Sequence, residues 1–313
     1  MTTNPKNFDP LAPQVKSILF LCCMGLLVFY GTLHSPFHYD DAHAIVENPY
    51  IKDLSKFQEK VGIQNIFNRS TLLFSFAVNQ HLGEMKVFGY HLVNILIHIL
   101  CAILWFFLVR EFLHIEPFKN RILLKTLPLV CSIIHLANPL NVQAVTYISS
   151  RSSLLATFFY LLAFFIFLKI LKPVKEEAYK LRIPILVSGL LLILFLGIAS
   201  KEIVASFPLI AIVYLWLATP NEKRKCLIPK LISILFLLVI FLGYRYFEQG
   251  NLFSLKADPT SGDTHRLLYL LSQIKVILGY YLLKLLIPFN LNFEPDLVLY
   301  SSWFHWDWII SLA

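Results

Sequence analysis

The sequence predicts an all-α polytopic membrane protein, and three observations predict it. Of its 313 residues, 57% are hydrophobic, and the mean hydropathy is +0.67. Apolar runs close to the ~20 residues that cross a bilayer as a helix recur along the whole chain. The charges between them are basic in alternate loops, as the positive-inside pattern requires.

The chain reads as one transmembrane domain, 1–313. A first span near 17–33 follows a stretch carrying only Lys6 and Lys16. No small-x-small cleavage site precedes His34-Ser35-Pro36, so this segment reads as a retained helix rather than a cleaved signal. Further spans fall near 89–109, 126–144, 152–170, 183–200, 203–218 and 228–247. The stretch 267–289 holds Lys275 and Lys284 inside its apolar run and is either spanning or re-entrant. Residues 303–313 form a partial segment, either interfacial or the start of a longer run.

Net charge is +8, but its distribution points away from nucleic acid. Basic residues gather at Arg110, Lys119, Arg121 and Lys125, then at Lys169 to Arg182, then at Lys223 to Lys230. That alternation predicts a cytoplasmic N-terminus and cytoplasmic basic loops. The 34–88 segment, the 145–152 turn, Ser200-Lys201-Glu202 and the 245–266 loop then share the outer face. Cys22, Cys23, Cys101 and Cys131 lie in apolar spans and Cys226 in a basic loop, a spacing that forms neither a zinc site nor a disulfide framework.

The outer segments carry the chemistry. The 34–88 loop is far longer than a connection needs, and its mixture of apolar and charged residues predicts short amphipathic helices at the interface, with Leu72–Phe76 dipping into the membrane. It opens with Tyr39-Asp40-Asp41, two carboxylates at a bilayer surface, where desolvation is costly. An Asp pair there is equally a helix start, one Asp capping Ala42-His43-Ala44-Ile45. The second outer turn, His135 to Arg151, is bent by Pro139 and clusters Gln143, Thr146 and Arg151. The third holds Lys201 and Glu202. Arg151 is either an anion ligand or a snorkelling residue, and Lys201-Glu202 either a site or a hairpin tip. His91, Asn94 and His98 share a helix face, which predicts hydrogen bonds between helices.

Four stretches resemble the protein O-mannosyltransferase superfamily of C-type-fold membrane glycosyltransferases, nearest the bacterial relatives of the branch that carries tetratricopeptide repeats. They are Phe37 to Asn48; Arg69 through Phe88-Gly89-Tyr90-His91 to His98; Asn138-Pro139-Leu140 through Arg151; and Ser200-Lys201-Glu202 with Pro208. The order is the family's, and they span most of 37–210. Family members often have His-Pro where this chain has Asn138-Pro139, some have Glu at the place of Gln143, and Ser70 stands where Pro commonly follows the Arg. No repeat period of the tetratricopeptide kind follows.

The resemblance implies a C-type helical bundle with 34–88 as its catalytic loop. It also implies an inverting transferase that takes a mannose-like hexose from a polyprenyl phosphate to an acceptor hydroxyl, a protein Ser or Thr. It implies a bacterial cytoplasmic membrane rather than the endoplasmic reticulum. Polyprenyl phosphate is a good leaving group, so the reaction needs one base, cations at the phosphate and no cofactor. Asp40 is the candidate base. Asp41 is its partner, orienting the acceptor or biasing its neighbour, since adjacent carboxylates resist ionising together. Arg69, Arg151, Lys201 and Arg266 are the candidate phosphate ligands, with Asn138, Gln143, Glu202 and His91 in support. A divalent ion held by His38, Asp40, Asp41 and His43 is an alternative that fits no standard zinc or calcium loop. Two other functions compete: a non-catalytic scaffold of the same fold, and a transporter or flippase for lipid-linked substrates. Against the transporter, no half of the chain repeats with matching broken helices.

Overall fold

A computed structural model describes residues 12–60, 69–113, 121–172, 176–218, scattered positions between 225 and 232, and 273–291 other than 275. Every regular element among the described residues is helical. The chain divides into two compact units, Met1–Phe207 and Pro208–Ala313.

In the first unit, helix α1 (Ala12–Phe29) leads into the long loop. That loop is built from a π-helical turn (Ala42–Val46), α2 (Pro49–Lys52), α3 (Leu54–Lys60) and α4 (Ser70–Gly83). There follow α5 (Val87–Phe112), α6 (Arg121–Ala137), the short α7 (Val142–Thr146), α8 (Arg151–Leu171) and α9 (Glu176–Ile198). Among the described residues, four stretches are long and apolar enough to cross a membrane: Gln14–Thr32, Val87–Phe112, Ile148–Leu171 and Leu181–Ile198. Lys125–Ala137 and Pro139–Thr146 pass the same test together but bend by 48° at their break. Proline explains the bend, because Pro139 cannot donate the hydrogen bond that would continue α6.

Helix α5 is the centre of the unit, packed by α1, α6 and α8. Its Ile95, Ile99, Ala102 and Leu108 are buried, as are Leu154, Phe159 and Phe167 of α8. Gly25 lets α1 lie against α5: a Cβ there would come within 2.5 Å of Ile99. At the opposite end, Glu111 of α5 bonds Lys169 at 2.6 Å and also pairs with Lys172, fastening α5 to α8. Helix α9 leaves Leu181, Ile185, Leu191 and Leu192 exposed, the surface a helix offers to acyl chains.

Asn-Pro pairs start two of the short elements in the same way. Asn48 accepts from the Tyr50 amide at 3.0 Å ahead of Pro49, and Asn138 from the Leu140 amide at 3.0 Å ahead of Pro139. Each satisfies a first-turn donor, while proline at the first helical position sacrifices none. Short helices are present in 34–88, although Val61, Ile63, Ile66 and Phe67 lie outside the described residues. In the stretch Leu72–Phe76, expected to dip into the membrane, Leu72 and Phe76 are buried in the protein and Phe74 is exposed.

After the 3₁₀ turn Glu202–Ser206 comes α10 (Phe207–Ala218), so the segment expected as a span near 203–218 is a shorter apolar helix. In the second unit, a π-helical turn (Ile277–Tyr281) and α11 (Leu282–Leu286) form the short apolar helix Ile277–Leu286, within the stretch expected at 267–289. The expected span 228–247, apart from three described positions, and the segment 303–313 lie outside the described residues.

Candidate functional site

The start of α8 is where the sequence-distant segments meet. The first is the acidic turn. Its backbone closes through Asp41 N–His38 O at 2.9 Å and Ala42 N–Tyr39 O at 3.2 Å. Tyr39 takes φ 46°, a left-handed conformation that is uncommon for a bulky residue. This turn aims the two carboxylates in different directions.

Asp41 is 1% exposed. One of its oxygens accepts from the Ser149 amide at 2.8 Å and from the Ser149 hydroxyl, and the other accepts from the His38 amide at 3.1 Å. Three donors on one buried carboxylate make a tight anchor. The helix-cap alternative for Asp41 fails, since its side chain caps no amide of the π-helical turn. Asp41, expected as the partner of Asp40, ties the acidic turn to the second outer turn.

Asp40 is exposed. Its amide donates to the Tyr147 Oη at 2.9 Å across 107 residues of chain. Tyr147 is held above the usual phenol range, chiefly by burial, which the Asp40 amide opposes and the Asp40 side chain and the two Asp charges reinforce. The neutral phenol is the favoured form beside those carboxylates.

Arg151 begins α8 with no exposed surface. Its Nε donates to Asn94 Oδ1 at 2.7 Å, Nη1 to Asn79 Oδ1 at 2.6 Å and to the Ser75 carbonyl at 3.2 Å, and Nη2 to the Tyr90 carbonyl at 2.9 Å. The Phe76 ring lies 4.6 Å from the guanidinium carbon. A buried cation is tolerable only when its donors are satisfied, and here they are satisfied by α4 and α5. Asn94 also donates to the Val145 carbonyl at 3.2 Å, which fixes the turn before α8. Expected as a phosphate ligand, Arg151 here has its fork spent inside the protein, where it braces three helices.

Lys201 and Arg69 are the cations with room. Lys201 Nζ donates to Ser153 Oγ at 2.9 Å, two residues beyond Arg151 in the same helix. Close packing delivers it there. A Cβ on Gly197 would fall 2.8 Å from Val204 and 3.1 Å from Phe159, so only glycine lets the 199–204 turn approach α8. Arg69 is exposed, with φ 57° ahead of α4. Thr71 N donates to the Ala199 carbonyl at 3.1 Å, which sets the start of α4 beside the Lys201 turn. Arg266 lies outside the described residues.

The supporting residues are placed as follows. Asn138 is a cap, Gln143 is exposed, and Glu202 is exposed at the start of its 3₁₀ turn. Among the described residues Lys201 makes no ion pair with Glu202. His91 Nε2 meets the Ser35 carbonyl at 3.0 Å and His98 Nε2 the Leu136 carbonyl at 3.1 Å. His98 and Asn94 make the interhelical contacts expected of that face, while His91 meets the loop after α1. The cluster His38, Asp40, Asp41 and His43 does not form a ligand set: His43 pairs with Glu47 at 2.8 Å, and among the described residues no group of three His, Cys, Asp or Glu is arranged to hold a metal ion.

A cavity of about 480 Å³ lies among α2, α3 and α4, lined by Tyr50, Phe57, Phe74, Val78 and His81 among others and by none of the expected site residues. Sequence reasoning missed Tyr147, Ser149 and Ser153 as site residues. The Ser149-Ser150-Arg151-Ser152-Ser153 run, polar residues opening an apolar helix, is the signal that pointed to them.

Comparison with known proteins finds animal relatives. The chain is 28% identical over 194 residues to "Protein O-mannosyl-transferase F38B6.6" of Caenorhabditis elegans, covering 55% of this chain and 27% of that protein. It is 28% identical over 185 residues to "Protein O-mannosyl-transferase Tmtc3" of Drosophila melanogaster, covering 50% and 20%. It is 25% identical over 165 residues to human "Protein O-mannosyl-transferase TMTC3", covering 48% and 17%. The chain thus matches roughly a quarter or less of each of these relatives. No protein-family model and no solved structure matches it.

Proposed function

We propose that this chain is the membrane-embedded catalytic part of an inverting, C-type-fold glycosyltransferase that moves a mannose-like hexose from a polyprenyl phosphate to a protein hydroxyl. The observation that carries it is the convergence on residues 147–153: Asp40 and Asp41 from one loop and Lys201 from another are hydrogen-bonded to that stretch. An exposed carboxylate next to a buried, fully anchored one has the form of a positioned base. The similarity to proteins named O-mannosyl-transferases supports the same chemistry.

In the reaction, Asp40 takes the proton of a Ser or Thr hydroxyl as that oxygen attacks the anomeric carbon. The bond from that carbon to the phosphate oxygen breaks, and its electron pair leaves with the polyprenyl phosphate. Attack from the side opposite the leaving group inverts the anomeric centre. Lys201 and Arg69, with Arg266 as a further candidate, hold the phosphate as its charge grows. Asp41 and Arg151 hold the frame. The reaction so written calls for no cofactor.

We place the site on the extracytoplasmic face, with the N-terminus cytoplasmic, on the alternation of basic loops. The sequence resemblance favours a bacterial cytoplasmic membrane over the endoplasmic reticulum.

The test is transfer of labelled mannose from polyprenyl-phosphate mannose to a Ser/Thr-rich peptide by the purified protein in lipid. Wild-type protein transfers; Asp40→Asn, nearly isosteric and without a base, loses about 10²–10⁴-fold in rate while still binding the lipid phosphate. Undiminished transfer by a folded Asp40→Asn protein refutes the assignment of the base. Lipid translocation without transfer by the wild type supports a transporter instead.

A further inference from the structure

We infer that Tyr147 is a positioning residue that holds and orients the Asp40 carboxylate, an inference that rests on Asp40 being the base. An exposed aspartate on a turn has free rotation about its side-chain bonds, whereas a base must keep hydrogen-bond geometry to the proton it removes. Tyr147 restrains it. Its Oη accepts the Asp40 amide at 2.9 Å, which occupies a lone pair and leaves the phenolic O–H to donate. The Asp40 carboxylate is the group placed to receive it, and that neighbour favours the neutral phenol.

Tyr147 also holds the residue before the base. The Tyr39 ring meets the Tyr147 ring edge-on, centroids 6.4 Å apart and planes at 89°. Tyr39 is the strained member of the turn at φ 46°, and such a conformation persists only where its surroundings enforce it. Tyr147 is itself fixed, its amide donating to the Gln143 carbonyl at 3.1 Å and its carbonyl accepting from Ser150 at 3.0 Å. Two alternate residues of one turn thus hold two consecutive acids of another: Tyr147 holds Asp40, and Ser149 holds Asp41. The register leaves the first carboxylate at the surface and buries the second.

The test is Tyr147→Phe, which keeps the ring and its contact with Tyr39 and deletes only Oη. Expected is a fall in kcat of about 10²-fold, the scale of a small misplacement of a reacting group, with KM for polyprenyl-phosphate mannose and the melting temperature unchanged. In an Asp40→Asn background the same change should cost nothing further, because residues that act as one unit are not additive. Losses that multiply, or a raised donor KM with a lowered melting temperature, overturn the positioning role in favour of a structural one. Full activity in Tyr147→Phe overturns it too, and leaves the base standing if Asp40→Asn is inactive. Activity in Asp40→Asn alone strikes the base assignment rather than Tyr147.

Discussion

The Arg151 Nε donates to Asn94 Oδ1 across 2.7 Å, and the same Asn94 donates onward to the Val145 carbonyl. One buried cation thereby connects α4 and α5 to the turn that holds the acids. Lysine cannot replace it. A point charge with three donors on a flexible stem does not span Asn79, Asn94 and the Tyr90 carbonyl together.

Arg151→Lys is therefore expected to lower stability by on the order of 3 kcal/mol, each buried group left unpaired costing roughly 1–3 kcal/mol. Thermal melts in detergent check this. The fraction that folds should bind polyprenyl phosphate as wild type does. A variant that melts normally yet loses lipid-phosphate binding would return Arg151 to the phosphate site.

Asp41 makes a graded prediction. Asp41→Asn turns an amide NH₂ toward one of three donors and leaves a buried clash of like groups, whereas Ser149→Ala removes only a hydroxyl. Transfer rates should fall more in Asp41→Asn than in Ser149→Ala, with donor affinity kept in both, because each loosens the turn that carries Asp40. A larger loss in Ser149→Ala would show that the Ser149 hydroxyl has work of its own.

Apolar runs of about 20 residues made the long apolar helices legible, since such runs are local in sequence. The polar face His91, Asn94 and His98 was legible for the same reason: i, i+3 and i+7 spacing puts those groups on one side of α5, and polar groups there must find partners. The direction of Arg151 was not legible. A charge at the boundary of an apolar helix looks the same whether it turns outward to an anion or inward to Asn79 and Asn94, and only packing decides. The unequal fates of Asp40 and Asp41 were hidden likewise, because they depend on Tyr147 and Ser149 more than a hundred residues away. The bend at Pro139 was readable from the residue type; Gly197 drew no attention, because close approach leaves no mark in a single sequence.

Orientation is checked with reporters active only outside the cytoplasm. Fusions within 34–88 and at 248–262 should be active, and fusions at 172–180 silent. Activity at 172–180 with silence in 34–88 would put the acids on the cytoplasmic side and remove the proposed chemistry.

The phosphate site turns on Lys201 and Arg69. A charge-assisted contact is worth roughly 1.5–3 kcal/mol, so Lys201→Gln and Arg69→Gln should each weaken polyprenyl-phosphate binding about 10- to 100-fold at matched protein levels. Lys201 has a protein partner, and Ser153→Ala separates the two roles. If Lys201 serves only to fasten its turn to α8, then Ser153→Ala should reproduce the effect of Lys201→Gln. If it serves the phosphate, Ser153→Ala frees the ammonium and leaves affinity unchanged or tighter. Glu202→Gln should behave like Ser153→Ala, because it removes a negative charge beside Lys201 without touching the ammonium. Unchanged affinity in both Gln variants would shift the phosphate to Arg266 and leave Lys201 as a strut between α9 and α8.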